Sequence, residues 1–124
     1  MTALEQLGGE EGVRGHVAAF VARVFADPII GFWFEGRDRA RILQHESEHA
    51  LMLWGADVVY TGRPLGVAHK PLGIHAGHFR RRLALLRVVL RERGVDDALI
   101  ERWVRHDERM MGAIVADPSR DCTD

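Results

Sequence analysis

The chain has 124 residues, a formal net charge of −1, 47% hydrophobic residues and 28% charged residues. This length supports one domain with a modest core, and the balanced charge removes the long-range attraction expected of a protein bound to nucleic acid or an anionic membrane. No apolar run approaches the roughly 20 residues that span a bilayer, so neither nucleic acid nor membrane is an expected partner.

The opening MTALEQLGGEEG has neither the basic start nor the apolar block of a secretory signal, so the expected location is the cytoplasm. Residues 1–116 read as the domain and 117–124 as a polar tail, in which the lone Cys122 is expected to be an inert exposed thiol. Thr2 and Glu5 have capping-box spacing for a very short first helix that Gly8 and Gly9 must end. Val13, Val17, Phe20, Val21, Val24 and Phe25 then recur at the spacing of a buried helical stripe, closed by Asp27-Pro28. The apolar run IIGFWF follows, where Gly31 predicts a tight turn.

Asp38 to Trp54 reads as an unbroken helix with an apolar stripe of Ile42, Ala50 and Leu53. Glu46 and His49 interrupt that face, and buried polar groups need partners or a site to line; the alternative is a partly solvated face. A helix from His75 or Gly77 to about Arg93 carries Phe79, Leu83, Leu86 and Leu90 on one side. Its six arginines (Arg80, Arg81, Arg82, Arg87, Arg91 and Arg93) are expected mostly as a solvated face. Gly94 ends it, and Asp96 or Asp97 caps a last helix with Leu99, Ile100, Trp103, Met110, Met111 and Ile114 inside. The methionines are core filling. The fold class is all-α, with at least four substantial helices and no strand-like alternation.

Between the two central helices lies Tyr60 to Phe79, YTGRPLGVAHKPLGIHAGHF, with four glycines, two prolines and three histidines. That density forbids a long regular helix. The recurring Leu65, Val67, Leu72, Ile74 and Phe79 argue for an enclosing connection, with His69 the best-placed ligand. Two chemistries compete. His45-Glu46-Ser47-Glu48-His49 matches H-E-x-x-H, whose i and i+4 histidines can share zinc while the glutamate activates water. His69, twenty residues on, is a conceivable third ligand, although a zinc hydrolase needs a substrate cleft that nothing here outlines. The other chemistry is haem, which needs an apolar slot between helices and one neutral imidazole on the iron. The helical pattern, the aromatic turn and the isolated His69 supply those parts.

The order and spacing of several markers make the second reading specific. They are Leu7-Gly8-Gly9, Gly12-Val13, the run Phe20 to Pro28, Phe34, Tyr60-Thr61-Gly62, His69, Ile74 and His78-Phe79. Over roughly Leu7 to Val115 the chain resembles the truncated haemoglobins, the short two-over-two globins. The resemblance implies a two-over-two helical sandwich with an extended loop before the proximal histidine, and haem b (iron protoporphyrin IX) as cofactor. It implies His69 on the iron and Phe34 against the porphyrin. It places Leu65, Ala68, Ile74 and Phe79 on the proximal side, Val21, Ile42 and Glu46 on the distal side, and Arg82 on the following helix. His45 and His49 share the distal helix, and Tyr60 is expected near the rim.

The chain also departs from that pattern. Val21 stands where many members have a tyrosine, and valine cannot donate a hydrogen bond to a bound ligand. Glu46 replaces glutamine or an apolar residue, and Arg82 replaces valine or tryptophan, so the two are expected to pair. Trp54 fills a corner that is usually glycine-rich, where it is expected to border the haem or plug a tunnel. The function implied is binding of dioxygen or another small diatomic ligand. The enzymatic alternative is a peroxidase or nitric-oxide dioxygenase, with Glu46, His49 and Arg82 as distal catalytic groups, peroxide as substrate and a reductase as redox partner. Distal ligation of the iron by His45 or His49 is a further alternative, as is a globin-like domain without haem.

Overall fold

A computed structural model describes residues 1–62 and 75–110. Its elements are α1 (Ala3–Gln6), α2 (Gly9–Phe25), a single 3-10 turn (Gly31–Phe34), α3 (Arg39–Leu53), α4 (Ala76–Glu92) and α5 (Asp97–Arg109). No strand occurs among the described residues, and no described helix is long and apolar enough to cross a membrane.

Local chemistry sets the helix ends. The Thr2 hydroxyl accepts the Glu5 N–H at the start of α1, the Asp38 carboxylate accepts the Arg41 N–H at α3, and Asp96 accepts the Ala98 N–H at α5. Each satisfies a donor that the helix itself leaves unpaired. Gly94 (φ 78°) takes the left-handed conformation that stops α4. After α2, the buried Asp27 carboxylate accepts the N–H groups of Ile29 and Ile30, both at 3.0 Å, and pairs with Arg81 at 2.6 Å. The Asp-Pro stop therefore also ties the end of α2 to α4.

Helix α2 packs on both α3 and α4, α4 packs on α5, and α3 touches α5. Two helix pairs thus lie one over the other in a two-over-two arrangement. The inner faces of α2 and α4 follow their periodicity: Val13, Val17, Phe20, Val21 and Val24 are buried, as are Phe79, Leu83, Leu86 and Leu90. Phe25 is only half-buried. In α5, Leu99, Ile100 and Trp103 are inside and Met110 packs against the core, whereas Met111 and Ile114 lie outside the described residues.

Helix α3 departs from expectation. Its buried residues are Ser47, Glu48, Ala50 and Leu51, followed by Trp54, while Ile42 and Leu53 are only half-buried. The rotation places a serine and a carboxylate inside, which a search for apolar periodicity passes over. Several of the six arginines from Arg80 to Arg93 also find partners, and Arg82 is well shielded. Arg81 binds Asp27, Arg82 binds Glu46 and Asp107, Arg87 binds Glu101, and Arg93 donates to the His16 ring. Each of these arginines bridges α4 to another part of the chain.

Candidate functional site

The polar centre of the molecule is Arg82. From the middle of α4 its two terminal nitrogens donate to both Glu46 oxygens on α3, each at 3.0 Å. This is the expected pair, in the bidentate geometry that makes arginine–carboxylate contacts strong. Nη2 also donates to Asp107 Oδ2 on α5 at 2.9 Å. Asp107 in turn accepts from His106 Nδ1 at 3.1 Å. The guanidinium lies over Phe20 (4.9 Å to the ring centroid) and Phe79 (5.8 Å), and its buried Nε has no partner. Burial opposes the charge on Arg82, but Glu46 and Asp107 outweigh it and hold the proton more tightly than usual.

Beside this cluster, Val17, Phe20, Glu46, His49, Ala50, Leu86, Trp103 and Asp107 line a cavity with room for about one water-sized molecule. His49 Nε2 is buried and lacks a hydrogen-bond partner. Burial lowers the pKa of His49, with Glu46 opposing the shift, so the ring is held neutral. A neutral imidazole offers one donor or one acceptor to a guest. The His49 ring packs on Tyr60, with centroids 4.2 Å apart and planes at 34°, and His45 meets the same tyrosine nearly edge-on at 5.5 Å.

The remaining candidates fall around this centre. Val21 and Phe79 are buried, while Phe34 and Ile42 are half-buried. The Phe34 ring tilts against Phe25 at 5.1 Å. His78, one of the family-like markers, meets Phe32 and Trp33 edge-on. His69, Leu65, Ala68 and Ile74 lie outside the described residues. Trp54, expected at the haem edge or in a tunnel, packs against Trp103 at 5.8 Å with Arg102 over its ring. Its bulk is spent on the α3–α5 contact.

The literal zinc motif is dismantled by its own partners. Glu46, the base such a hydrolase needs, is held by Arg82, and His49 is stacked on Tyr60. No group of three or more metal-binding side chains converges among the described residues. Three participants escaped the sequence reading: Asp107, its neighbour His106, and Glu48. Asp107 did carry a signal, because it extends the inward stripe of Ile100, Trp103 and Val104 by one turn.

The comparisons with known proteins agree with this geometry. The family model of the bacterial-like globins matches residues 2–116. A group 1 truncated hemoglobin of Tetrahymena pyriformis is 31% identical over 99 residues, covering 80% of this chain and 82% of that protein. The crystal structure of truncated hemoglobin from that organism, in its Fe(III) form, superposes with a TM-score of 0.85 at 27% identity, over 94% of this chain and all of that one. The 2/2 hemoglobin from Synechococcus sp. PCC 7002, in the cyanomet state with covalently attached heme, gives a TM-score of 0.85 at 25% identity over 94% of this chain and 100% of that one. The chain belongs to the bacterial-like globin family, among the truncated haemoglobins.

Proposed function

We propose that the chain is a haem b protein whose iron is held by His69 and takes a small diatomic ligand on the opposite, distal side. Support comes from the fold shared with the Fe(III) and cyanomet haemoglobins. One local observation carries the distal half of the proposal: His49 keeps a buried ring nitrogen unpartnered beside a water-sized cavity. A native fold rarely leaves such an atom without a use. Phe34, Ile42 and Phe79 would give a flat apolar cofactor hydrocarbon to pack on, and the unpartnered His49 nitrogen would give its ligand a polar partner.

When bound, the haem supplies an iron that takes up the diatomic ligand. The protein supplies the surroundings. Val21 gives shape without a hydrogen bond. Glu46 cannot approach a ligand without giving up Arg82, and Arg82 cannot do so without exposing two carboxylates to an uncompensated site. His49 Nε2 and Arg82 Nε are both unpartnered, and of the two residues only His49 lines the cavity. Ligand stabilisation therefore falls to His49, directly or through one water. Peroxidase and nitric-oxide dioxygenase chemistry stand second, favoured by a base and a cation at the same place; they would require a reductase partner and a rearranged Arg82. A cytoplasmic location suits any of these roles.

The test is a haemin titration of the purified chain. A sharp Soret band saturating at one equivalent, and lost in His69→Ala, is the expected result. No band in the wild-type chain, or a band indifferent to His69, would overturn the proposal.

A further inference from the structure

Of the family-like marker Tyr60-Thr61-Gly62 only Tyr60, packed on His49 and His45, has entered the site so far, and Glu48 is a buried carboxylate that the proposed function does not use. The structure joins them. After Trp54 the chain turns through residues 55–59 and runs back along α3, so that Tyr60 meets His49 and His45 while Thr61 meets Glu48 one turn away. Glu48 is 4% exposed. Its Oε1 accepts the Thr61 N–H at 2.9 Å, the Thr61 hydroxyl donates to Oε1 at 3.1 Å and Oε2 at 2.9 Å, and Gln44 Nε2 donates to Oε2 at 3.2 Å. Removing a carboxylate from water is costly unless several donors meet it, and here they do.

Gly62 completes the arrangement. A Cβ there would collide with the hydroxyl and ring of Tyr60, so the tyrosine can fold back over the chain only if residue 62 has no side chain. Each residue of the triplet thus has one task. Tyr60 covers the two histidines, Thr61 fastens to Glu48, and Gly62 makes room for the ring.

We infer that Glu48 is a positioning residue for the proposed haem site: through Thr61 it fixes the Tyr60 ring against His45 and His49. The inference rests on the haem reading. A polar side chain that orients the groups around a metal typically changes metal retention by about 10–100-fold when removed. Glu48 stands one step further out, acting on Tyr60 and the histidines and not on an iron ligand, so the lower end of that range is expected.

The test uses the full-length haem-loaded chain with Glu48→Gln, Thr61→Val and Gly62→Ala, and Thr61→Ser as the conservative control. Two quantities are read: the rate of haem transfer to excess apomyoglobin, and the hydrogen-exchange protection of the Thr61 amide. Glu48→Gln is expected to accelerate haem loss about tenfold and to weaken Thr61 protection. Thr61→Val, which keeps the N–H donor, should have a smaller effect, and Thr61→Ser should behave as wild type. Val89→Ala, a core change on α4 with no part in this contact, controls for general destabilisation. It should lower Tm while leaving Thr61 protection and haem loss near wild type. Haem loss that simply follows Tm across all five variants, or that is unchanged in Glu48→Gln, would overturn the inference while leaving the haem reading intact. A wild-type chain that takes up no haem would overturn the proposed function, and this role with it.

Discussion

The inner faces of α2 and α4 are lined by Val13, Val17, Val24, Phe79, Leu86 and Leu90, all buried hydrocarbon. Where α3 meets α4 and α5, the chain instead holds an arginine between two carboxylates, beside an imidazole with a spare nitrogen. Both regions exclude water, but they answer to different rules. Hydrocarbon packing tolerates swaps that conserve volume, because its attraction has no direction. A buried charge cluster holds only while every member is present, since removing one strands the others. The first region therefore carries the fold, and the second can be specialised by a few residues.

Deleting Arg82 should expose that difference most sharply. Arg82→Ala leaves Glu46 and Asp107 facing each other across a part-buried space and is expected to cost about 3–5 kcal/mol in urea unfolding. Leu90→Met in the hydrocarbon region should cost less than about 1.5 kcal/mol. Replacing Glu46, Arg82 and Asp107 together by hydrocarbon side chains should be close to neutral for stability. If that triple change is as damaging as Arg82→Ala, the cluster contributes more than mutual compensation.

A smaller effect should appear in double-mutant cycles. The Glu46–Arg82 pair is mostly shielded, with side-chain exposures of 27% and 14%, and is expected to show a coupling of about 1–3 kcal/mol. The Arg23–Glu92 pair is 41% and 55% exposed and should give about 0–1 kcal/mol despite its shorter 2.6 Å contact. Equal couplings would mean that burial is not what distinguishes the two regions.

The smallest expected effect concerns acid. His16 on α2 donates from Nε2 to the Leu7 carbonyl at 3.2 Å and accepts from Arg93 Nε at 2.7 Å on Nδ1, so a ring proton on that nitrogen would break the contact. Burial, and then Arg93, lower its pKa from the usual 6.5. The unfolded chain therefore takes up this proton first as pH falls. Stability should be fully present above the ordinary histidine value and decline as pH drops through it toward the lower folded value. His49, shifted the same way, adds to the decline. Urea midpoints at pH 7 and about pH 5.5 should show a shallower slope for His16→Gln than for wild type. An unchanged slope would assign the acid sensitivity to His49 or elsewhere.

Much of the fold was legible because it follows from local rules. The α2 stripe, the Asp96 cap, the Asp27-Pro28 stop and the Gly94 terminus each announce themselves within a few residues. The Glu46–Arg82 pair was readable through the family resemblance, which implies facing positions for two charges that then need each other. The inner face of α3 was not. Ser47 and Glu48 lie inside it, and apolar periodicity cannot assign polar residues to a core. What permits their burial lies far away in sequence: Thr61 is thirteen residues from Glu48, and Asp107 is twenty-five from Arg82. The packing partner of Trp54 was hidden for a related reason. That partner, Trp103, sits on the last helix, and nothing near Trp54 in the chain points there.

The most direct test of the account is whether His69 is the residue on the iron. Resonance Raman spectra of the ferrous haem-loaded chain should show an iron–histidine stretch. His69→Gly should lose it, and added imidazole should restore it in the variant. A stretch that persists in His69→Gly without imidazole would place another histidine on the iron and contradict the account.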